Sequence, residues 1–207
     1  MLLLSNSLDT KIMTIMAINT SGPICSVAII SNNQTMHYEE STSDNQHSES
    51  LFKLIHKLFD KSNNSYSTIT NLGVVVGPGS FTGIRAGIAA AQGIHLASKI
   101  TLHGISTLEM QAYLISNSTK TNDDEILSII EVSHNKFYSQ TFNHKVIATS
   151  KIKPLDKNFS YNDYIHYTQS ITSSNFNARI AALLLSYKLQ NNLPTLNTAP
   201  IYFNTIN

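Results

Sequence analysis

The hydrophobic pattern of the first forty residues predicts three short β-strands. Apolar runs alternate with polar clusters, and each run is too short for a helix. Gly22-Pro23 separates the first run from the second, and Asn32-Asn33 is a plausible hairpin turn before the third. The three predicted strands cover residues 13–21, 24–30 and 34–40. Their close spacing predicts antiparallel pairing.

The next stretch changes to helical spacing. Leu51, Leu54, Ile55, Leu58 and Phe59 fall at i, i+3, i+4, i+7 and i+8, which predicts an amphipathic helix over 45–61. A continuous apolar run then predicts a strand that is covered on both faces. The elements predicted after this helix are a strand at 69–77, a helix at 81–98, a strand at 102–106 and a helix capped by Ser106 or Thr107. This order predicts an α/β fold.

The second half of the chain repeats the opening pattern in a coarser form. Residues 117–124 are polar and lack periodicity, so they are the candidate boundary between two halves. Two strands around a turn at His134-Asn135 follow, and a helix is predicted at 177–190 with Ser173 or Ser174 as its cap. Residues 163–168 form a further candidate strand. The predicted organisation is a leader at 1–12, with Met13 as an alternative start, an N-terminal half at 13–116 and a C-terminal half at 117–207.

Composition limits the possible partners and compartments. The formal net charge of +1 over 207 residues gives no electrostatic footprint for nucleic acid. Cys25 is the single cysteine, which excludes an intrachain disulfide, and its apolar neighbours predict a buried position. No apolar run reaches the roughly 18 residues of a membrane span, so we expect a cytoplasmic protein.

A glycine-rich turn between Val74 and Gly87 is the most distinctive local feature. The sequence GPGSFTGIRAG follows a predicted strand and opens a predicted helix. It lacks the lysine of a P-loop, and the spacing of Gly77, Gly79 and Gly83 is one residue too long for the dinucleotide fingerprint. A phosphate contact stays open, because amide groups at a helix N-terminus attract anions and Arg85 is close by.

Small residues recur along the helix that follows. Gly83, Gly87 and Ala91 are spaced every four residues, and a neighbouring ridge contains Ala86, Ala90 and Gly93 or Ala97. Glycine inside a helix costs roughly 1 kcal/mol relative to alanine, so these positions indicate the close approach of another backbone. That backbone could be the protein's own sheet or a second chain.

Four segments together resemble the TsaB (YeaZ) family. They are MAINTSGPICSVAII, HSESLFKLIHKLF, GVVVGPGSFTGIRAGIAAAQGI and HGISTLEMQA, within residues 13–115. The second half is less similar, because Ile130-Glu131-Val132-Ser133 and Pro200-Ile201-Tyr202-Phe203-Asn204 replace the family's patterns. The resemblance implies an ASKHA (actin/Hsp70/sugar-kinase-like) fold of two related α/β halves, each with a mixed sheet.

The resemblance also implies a function and partners. It implies a non-catalytic subunit for N6-threonylcarbamoyladenosine modification of tRNA, which binds and activates a TsaD-type transferase and recruits a TsaE-type ATPase. Transfer RNA would be reached through the complex, and a homodimer is an alternative when the partner is absent. The implied partner interface comprises His47, Ser48, Glu49, Leu51, Gly83, Arg85, Ala86, Gly87 and Ala90.

Active-enzyme alternatives are less well supported by the residues. A nucleotide-binding ATPase or phosphotransferase would use Thr20, Ser21, Gly77, Gly79 and Arg85, but Asn19 replaces the acidic residue that an ASKHA metal site requires. The eight histidines include no H-x-x-x-H or H-E-x-x-H pair, which disfavours a glycoprotease. Ser80 lies in no G-x-S-x-G elbow. We therefore expect no catalytic residue, no metal site and no cofactor of its own, with ATP or ADP and magnesium as candidates at a complex interface.

Overall fold

The structure is a computed structural model, and its described residues form two β-sheets and four helices. It describes residues 13–31, 35–41, 47–118, 125–133, 136–155 and 176–202, with the backbone alone at 47–49 and 132–133. The strands are β1 (Ile15–Asn19), β2 (Ser26–Ile30), β3 (Met36–Glu40), β4 (Asn71–Gly77), β5 (Thr101–Ser106), β6 (Ile126–Ser133), β7 (Lys136–Phe142) and β8 (Lys153–Pro154). The helices are α1 (His47–Ser62), α2 (Phe81–Ser98), α3 (Thr107–Ser118) and α4 (Ala178–Gln190).

The first sheet is mixed and has the strand order β3-β2-β1-β4-β5. Strands β1, β2 and β3 pair antiparallel, as the hairpin spacing predicts, whereas β4 and β5 join in parallel. Parallel pairing follows from the crossover helices α1 and α2, which return the chain to the same end of the sheet. The carboxyl ends of β1, β4 and β5 therefore lie side by side, and in open α/β sheets that edge is where ligands bind.

Helices cover both faces of this sheet. Met16 and Ile18 of β1 join a core with α1 and α2, whereas Ile15 and Ala17 of the same strand join a core with α3 and α4. This alternation is the period of two that a strand imposes on its side chains. Cys25 is fully buried in the α1/α2 core, as predicted, and burial raises the pKa of its thiol to about 12.

The second sheet, β6-β7-β8, contains antiparallel pairs among the described residues. The mixed sheet expected for the N-terminal half is confirmed, whereas the described strands of the second half pair antiparallel. The strand pair on either side of the predicted turn at 134–135 is confirmed. The candidate strand at 163–168 lies outside the described residues.

The capping predictions have different outcomes at the two later helices. Ser106 caps α3, because its Oγ accepts from the amide of Leu108 at 3.1 Å and Glu109 Oε2 accepts from the Ser106 amide at 2.9 Å. These two bonds form a capping box. The prediction for α4 is wrong: Asn177, not Ser173 or Ser174, caps that helix and accepts from the Arg179 amide at 3.0 Å. The helix begins later because an Asn side chain caps as well as Ser.

Helix α1 is joined to the sheet by a small cluster of charges. Glu39 of β3 is almost fully buried, and its carboxylate lies 2.6 Å from Lys57 Nζ and also contacts Lys61. Hydrogen bonds from Lys57 and Lys61 hold the pKa of the Glu39 carboxyl below its usual value. The cluster therefore ties α1 to the edge strand β3 of the first sheet. No helix among the described residues is long and apolar enough to cross a lipid bilayer.

Candidate functional site

The glycine loop between β4 and α2 packs against the turn that follows β1. A Cβ atom added at Gly79 would lie 2.4 Å from the Ser21 carbonyl oxygen, and one at Gly83 would lie 1.9 Å from the Thr20 carbonyl oxygen. One turn further along α2, a Cβ at Gly87 would lie 2.3 Å from Thr20 Oγ1. Gly79 and Gly83 are thus required by the close approach of the chain's own backbone, and Gly87 by the side chain of Thr20.

That contact accounts for two glycines of the predicted interface within the chain itself. Gly83 and Gly87 are buried under Thr20 and do not lie on a free surface of α2. Of the two explanations that the sequence left open for these glycines, close approach of the protein's own sheet is the one that the structure shows. The absence of side chains at Gly83 and Gly87 makes room for the turn that follows β1.

The polar groups of the predicted nucleotide site are bonded to each other. Thr20 Oγ1 donates to the Gly83 carbonyl at 2.7 Å, and Ser21 Oγ donates to Asn19 Oδ1 at 2.7 Å. The Asn19 amide in turn donates to the Phe176 carbonyl at 2.6 Å. All three side chains are buried. A phosphate at this position would have to replace bonds that already exist.

The first turn of α2 carries a side-chain cap from Ser80. Ser80 Oγ accepts from the Gly83 amide at 3.2 Å, and the Ser80 carbonyl accepts from the Ile84 amide at 2.9 Å. Gly77 has a positive φ of 106°, a backbone conformation that favours glycine. The shape of the turn is therefore enough to explain glycine at this position. Among the described residues, no group of three or more His, Cys, Asp and Glu side chains is arranged to hold a metal ion.

The C-terminal segment at 195–202 crosses the same edge of the sheet. Leu196 exchanges two backbone hydrogen bonds with Gly104 of β5, and the Ile201 amide donates to the Val76 carbonyl at 2.8 Å. Tyr202 then reaches α2, where its hydroxyl accepts from Arg85 Nε at 2.9 Å. The segment thus runs beside β5 and reaches the carboxyl end of β4. Arg85, which the sequence assigned to both candidate sites, is engaged here.

An apolar groove lies on the other side of α2, between this helix and α1. Its volume is about 730 Å³. It is lined by Leu51, Phe52, Tyr66, Ala86, Ala89, Ala90, Gly93, Ile94, Ala97 and Ser98. Phe52 is 54% exposed beside it, and Leu96 is 66% exposed on the same helix as the small residues. A concave apolar surface with large exposed hydrophobic side chains is typical of an interaction site.

Three of the predicted interface residues line this groove. Leu51, Ala86 and Ala90 line it, although Leu51 is itself nearly fully buried. The backbone of residues 47–49 forms the first turn of α1, and their side chains lie outside the described part of the chain. The second ridge of small residues, rather than the Gly83/Gly87 ridge, is the one that faces the groove.

The sequence prediction missed Phe52, Tyr66 and Ala89. Phe52 lies at the edge of the apolar stripe of α1, between Leu51 and Lys53, and an exposed aromatic residue at such a helix position is a signal of contact with something outside the core. Burial raises the pKa of the Tyr66 hydroxyl. Tyr66 follows α1 in a polar segment without periodicity, so no pattern in the sequence places its ring beside α2.

Comparison with known proteins identifies the family. A family model described as TsaD, tRNA N6-adenosine threonylcarbamoyltransferase, matches residues 28–159. The chain is 31% identical over 143 residues to the tRNA threonylcarbamoyladenosine biosynthesis protein TsaB of Buchnera aphidicola subsp. Baizongia pistaciae, with 67% of this chain covered. The chain belongs to the TsaB (YeaZ) family. It is 35% identical over 100 residues, or 48% of its length, to TsaB of Escherichia coli.

The matches to TsaB proteins are partial in length. The chain spans 63% of the Buchnera protein and 43% of the Escherichia coli protein. Its fold matches that of YeaZ from Pseudomonas aeruginosa, with a TM-score of 0.72, 17% identity and coverage of 92% of this chain and 100% of that one. The predicted α/β fold is thereby confirmed, and the chain shares it with YeaZ. The predicted boundary at 117 stays a prediction, although α4 packs on β1 and β2 of the first sheet.

Proposed function

We propose that this TsaB-family chain is a non-catalytic subunit in tRNA N6-threonylcarbamoyladenosine biosynthesis, which binds and activates a TsaD-type transferase. The observation that carries the proposal is the apolar groove between α1 and α2. Small residues form its α2 wall, where Ala89 and Gly93 are exposed. Such residues let a partner helix approach closely, since interhelical distances of roughly 8–10 Å depend on the side chains at the contact.

The composition of the groove fits a protein partner. Phe52 and Tyr66 provide aromatic side chains at one wall, and aromatic residues are enriched at protein interfaces. None of the residues that line it is charged. We propose that a pair of helices on the transferase fills it. A TsaE-type ATPase and tRNA would join through that complex, and a second copy of the chain would occupy the groove when the transferase is absent.

Charge placed in the groove provides the test. Ala90→Arg introduces a long cationic side chain at the groove wall, and we expect affinity for the TsaD-type transferase of the same organism to fall about 30-fold or more. Gln92→Arg is the matched control, because Gln92 is exposed on the same helix but does not line the groove. Affinity is measured by calorimetry with purified proteins. Equal affinity of the Ala90→Arg variant and the wild type would contradict the proposed interface.

The competing function is nucleotide binding at the glycine loop. Because Thr20, Ser21 and the Gly83 amide are bonded within the protein, we expect the isolated chain to bind ATP or ADP with magnesium more weakly than the micromolar range. Titration calorimetry and a phosphate-release assay measure this. Micromolar binding accompanied by turnover would favour an ATPase or phosphotransferase over a non-catalytic subunit.

A further inference from the structure

Arg85 is held in a cluster that the C-terminal segment completes. Its Cζ atom lies 4.0 Å from the centroid of the Phe81 ring and 5.4 Å from that of Tyr202. The two rings lie 4.7 Å apart, and the Tyr202 hydroxyl accepts from Arg85 Nε. We call these three residues the Arg85 cluster. Stacking and one hydrogen bond from Nε hold the guanidinium, and no hydrogen bond of its terminal nitrogens is found among the described residues.

The charge of Arg85 is not neutralised within the described part of the chain. The ion pairs found there involve Glu39, Glu109 and Asp60, and none of them includes Arg85. Arg85 is exposed, and the Phe81 ring beneath it is 53% exposed. A large aromatic ring under a fixed guanidinium is the arrangement that proteins use for bidentate recognition of an anion.

The cluster is continuous with the groove. Phe81, Arg85 and Ala89 follow one another at intervals of four residues, so they form one row along α2. Ala89 lines the groove, and so does Ala86, which directly follows Arg85, so Arg85 lies at the rim of the groove's first turn and Phe81 lies one turn beyond it. A partner helix that fills the groove would therefore pass beside the guanidinium. Charged groups at the rim of an interface set its register and orientation.

We propose that Arg85 binds a carboxylate of the partner protein at the end of the groove, and that Phe81 and Tyr202 are positioning residues for it. This inference rests on the proposed function, since the partner is the protein that occupies the groove. A carboxylate fits better than a phosphate. The donors of the predicted nucleotide site, Thr20 Oγ1, Ser21 Oγ and the Gly83 amide, are already bonded within the chain, so they do not complete a phosphate site with Arg85.

The experiment measures affinity for the TsaD-type transferase as a function of salt concentration. For Arg85→Gln we expect about tenfold weaker binding at low salt and a shallower dependence on salt, because one charge contact is lost. Arg179→Gln is the matched control. Arg179 is the chain's other arginine and is also exposed and stacked on an aromatic ring, with its Cζ 3.9 Å from the Tyr38 centroid, but it lies on α4. We expect that variant to bind like the wild type.

A double-mutant cycle separates positioning from structural support. Tyr202→Phe removes the hydroxyl that accepts from Arg85 and keeps the ring, so we expect weaker binding, by about threefold, when Arg85 is present. In the Arg85→Gln background the same change should have no further effect. Additive effects would overturn the positioning role.

The remaining outcomes are also decisive. If Ala90→Arg weakens binding but Arg85→Gln changes neither the affinity nor its salt dependence, the carboxylate site is wrong and the proposed function stands. If the effect of Arg85→Gln occurs in the presence of ATP and magnesium but not in their absence, the ligand is a nucleotide phosphate and the carboxylate assignment is overturned. If the wild type does not bind the transferase, both proposals fail.

Discussion

Replacing Gly83 with alanine is expected to destabilise the protein by about 3 kcal/mol. The added Cβ would lie 1.9 Å from the carbonyl oxygen of Thr20, which is backbone and cannot rotate away. Thr20 is itself fixed, because its hydroxyl donates to the Gly83 carbonyl and the chain around it is buried. Either α2 or the turn after β1 must therefore move. Chemical denaturation of the isolated chain measures the loss.

Gly93→Ala is the matched control on the same helix. A Cβ at Gly93 would meet no atom within 4 Å, so the intrinsic preference of alanine for a helix should dominate. We expect this variant to be about 0.5–1 kcal/mol more stable than the wild type. Opposite signs for the same substitution at two positions of one helix would show that contact, not helix propensity, requires Gly83. A Gly83→Ala variant as stable as the wild type would contradict the described contact between α2 and β1.

The sequence predicts the helices and strands of the N-terminal half well, because each has a clear period. The apolar stripe of α1 and the continuous valines of β4 set both the type and the approximate bounds of these elements. The glycine spacing of α2 correctly predicts a close backbone approach. It does not identify the approaching chain, because the contact of Gly83 with Thr20 joins residues 63 positions apart, and nothing local to α2 encodes it.

Part of the candidate site was predictable because it lies on a helix with a clear period. The ridge of Ala86 and Ala90 is visible as a helical pattern, and both residues line the groove. The Arg85 cluster was not predictable, because Tyr202 comes from a segment without periodicity that is 117 residues away. The spacing of residues along a helix shows which face carries small residues. Which face the rest of the chain leaves uncovered depends on tertiary packing, which the spacing does not show.

Replacing Lys188 with methionine is expected to cost about 3–5 kcal/mol of folding free energy. Lys188 of α4 forms an ion pair with Glu109 of α3, and both side chains are more than 90% buried. Without the ammonium group, the Glu109 carboxylate stays buried with the Ser106 amide as its remaining hydrogen-bond partner. An uncompensated buried charge is far more costly than the pair itself. Thermal and chemical denaturation at neutral pH measure the loss.

Lys57→Met is the control for loss of a lysine from an ion pair. Lys57 is 58% exposed, and Glu39 keeps its contact with Lys61, so we expect a loss of less than about 1 kcal/mol. The variant that carries both Glu109→Gln and Lys188→Met gives the decisive comparison. Glutamine can still accept from the Ser106 amide but carries no charge, so the double variant should be more stable than Lys188→Met alone. If the second substitution instead adds a further loss, the cost of Lys188→Met arises from packing between α3 and α4 rather than from the buried carboxylate.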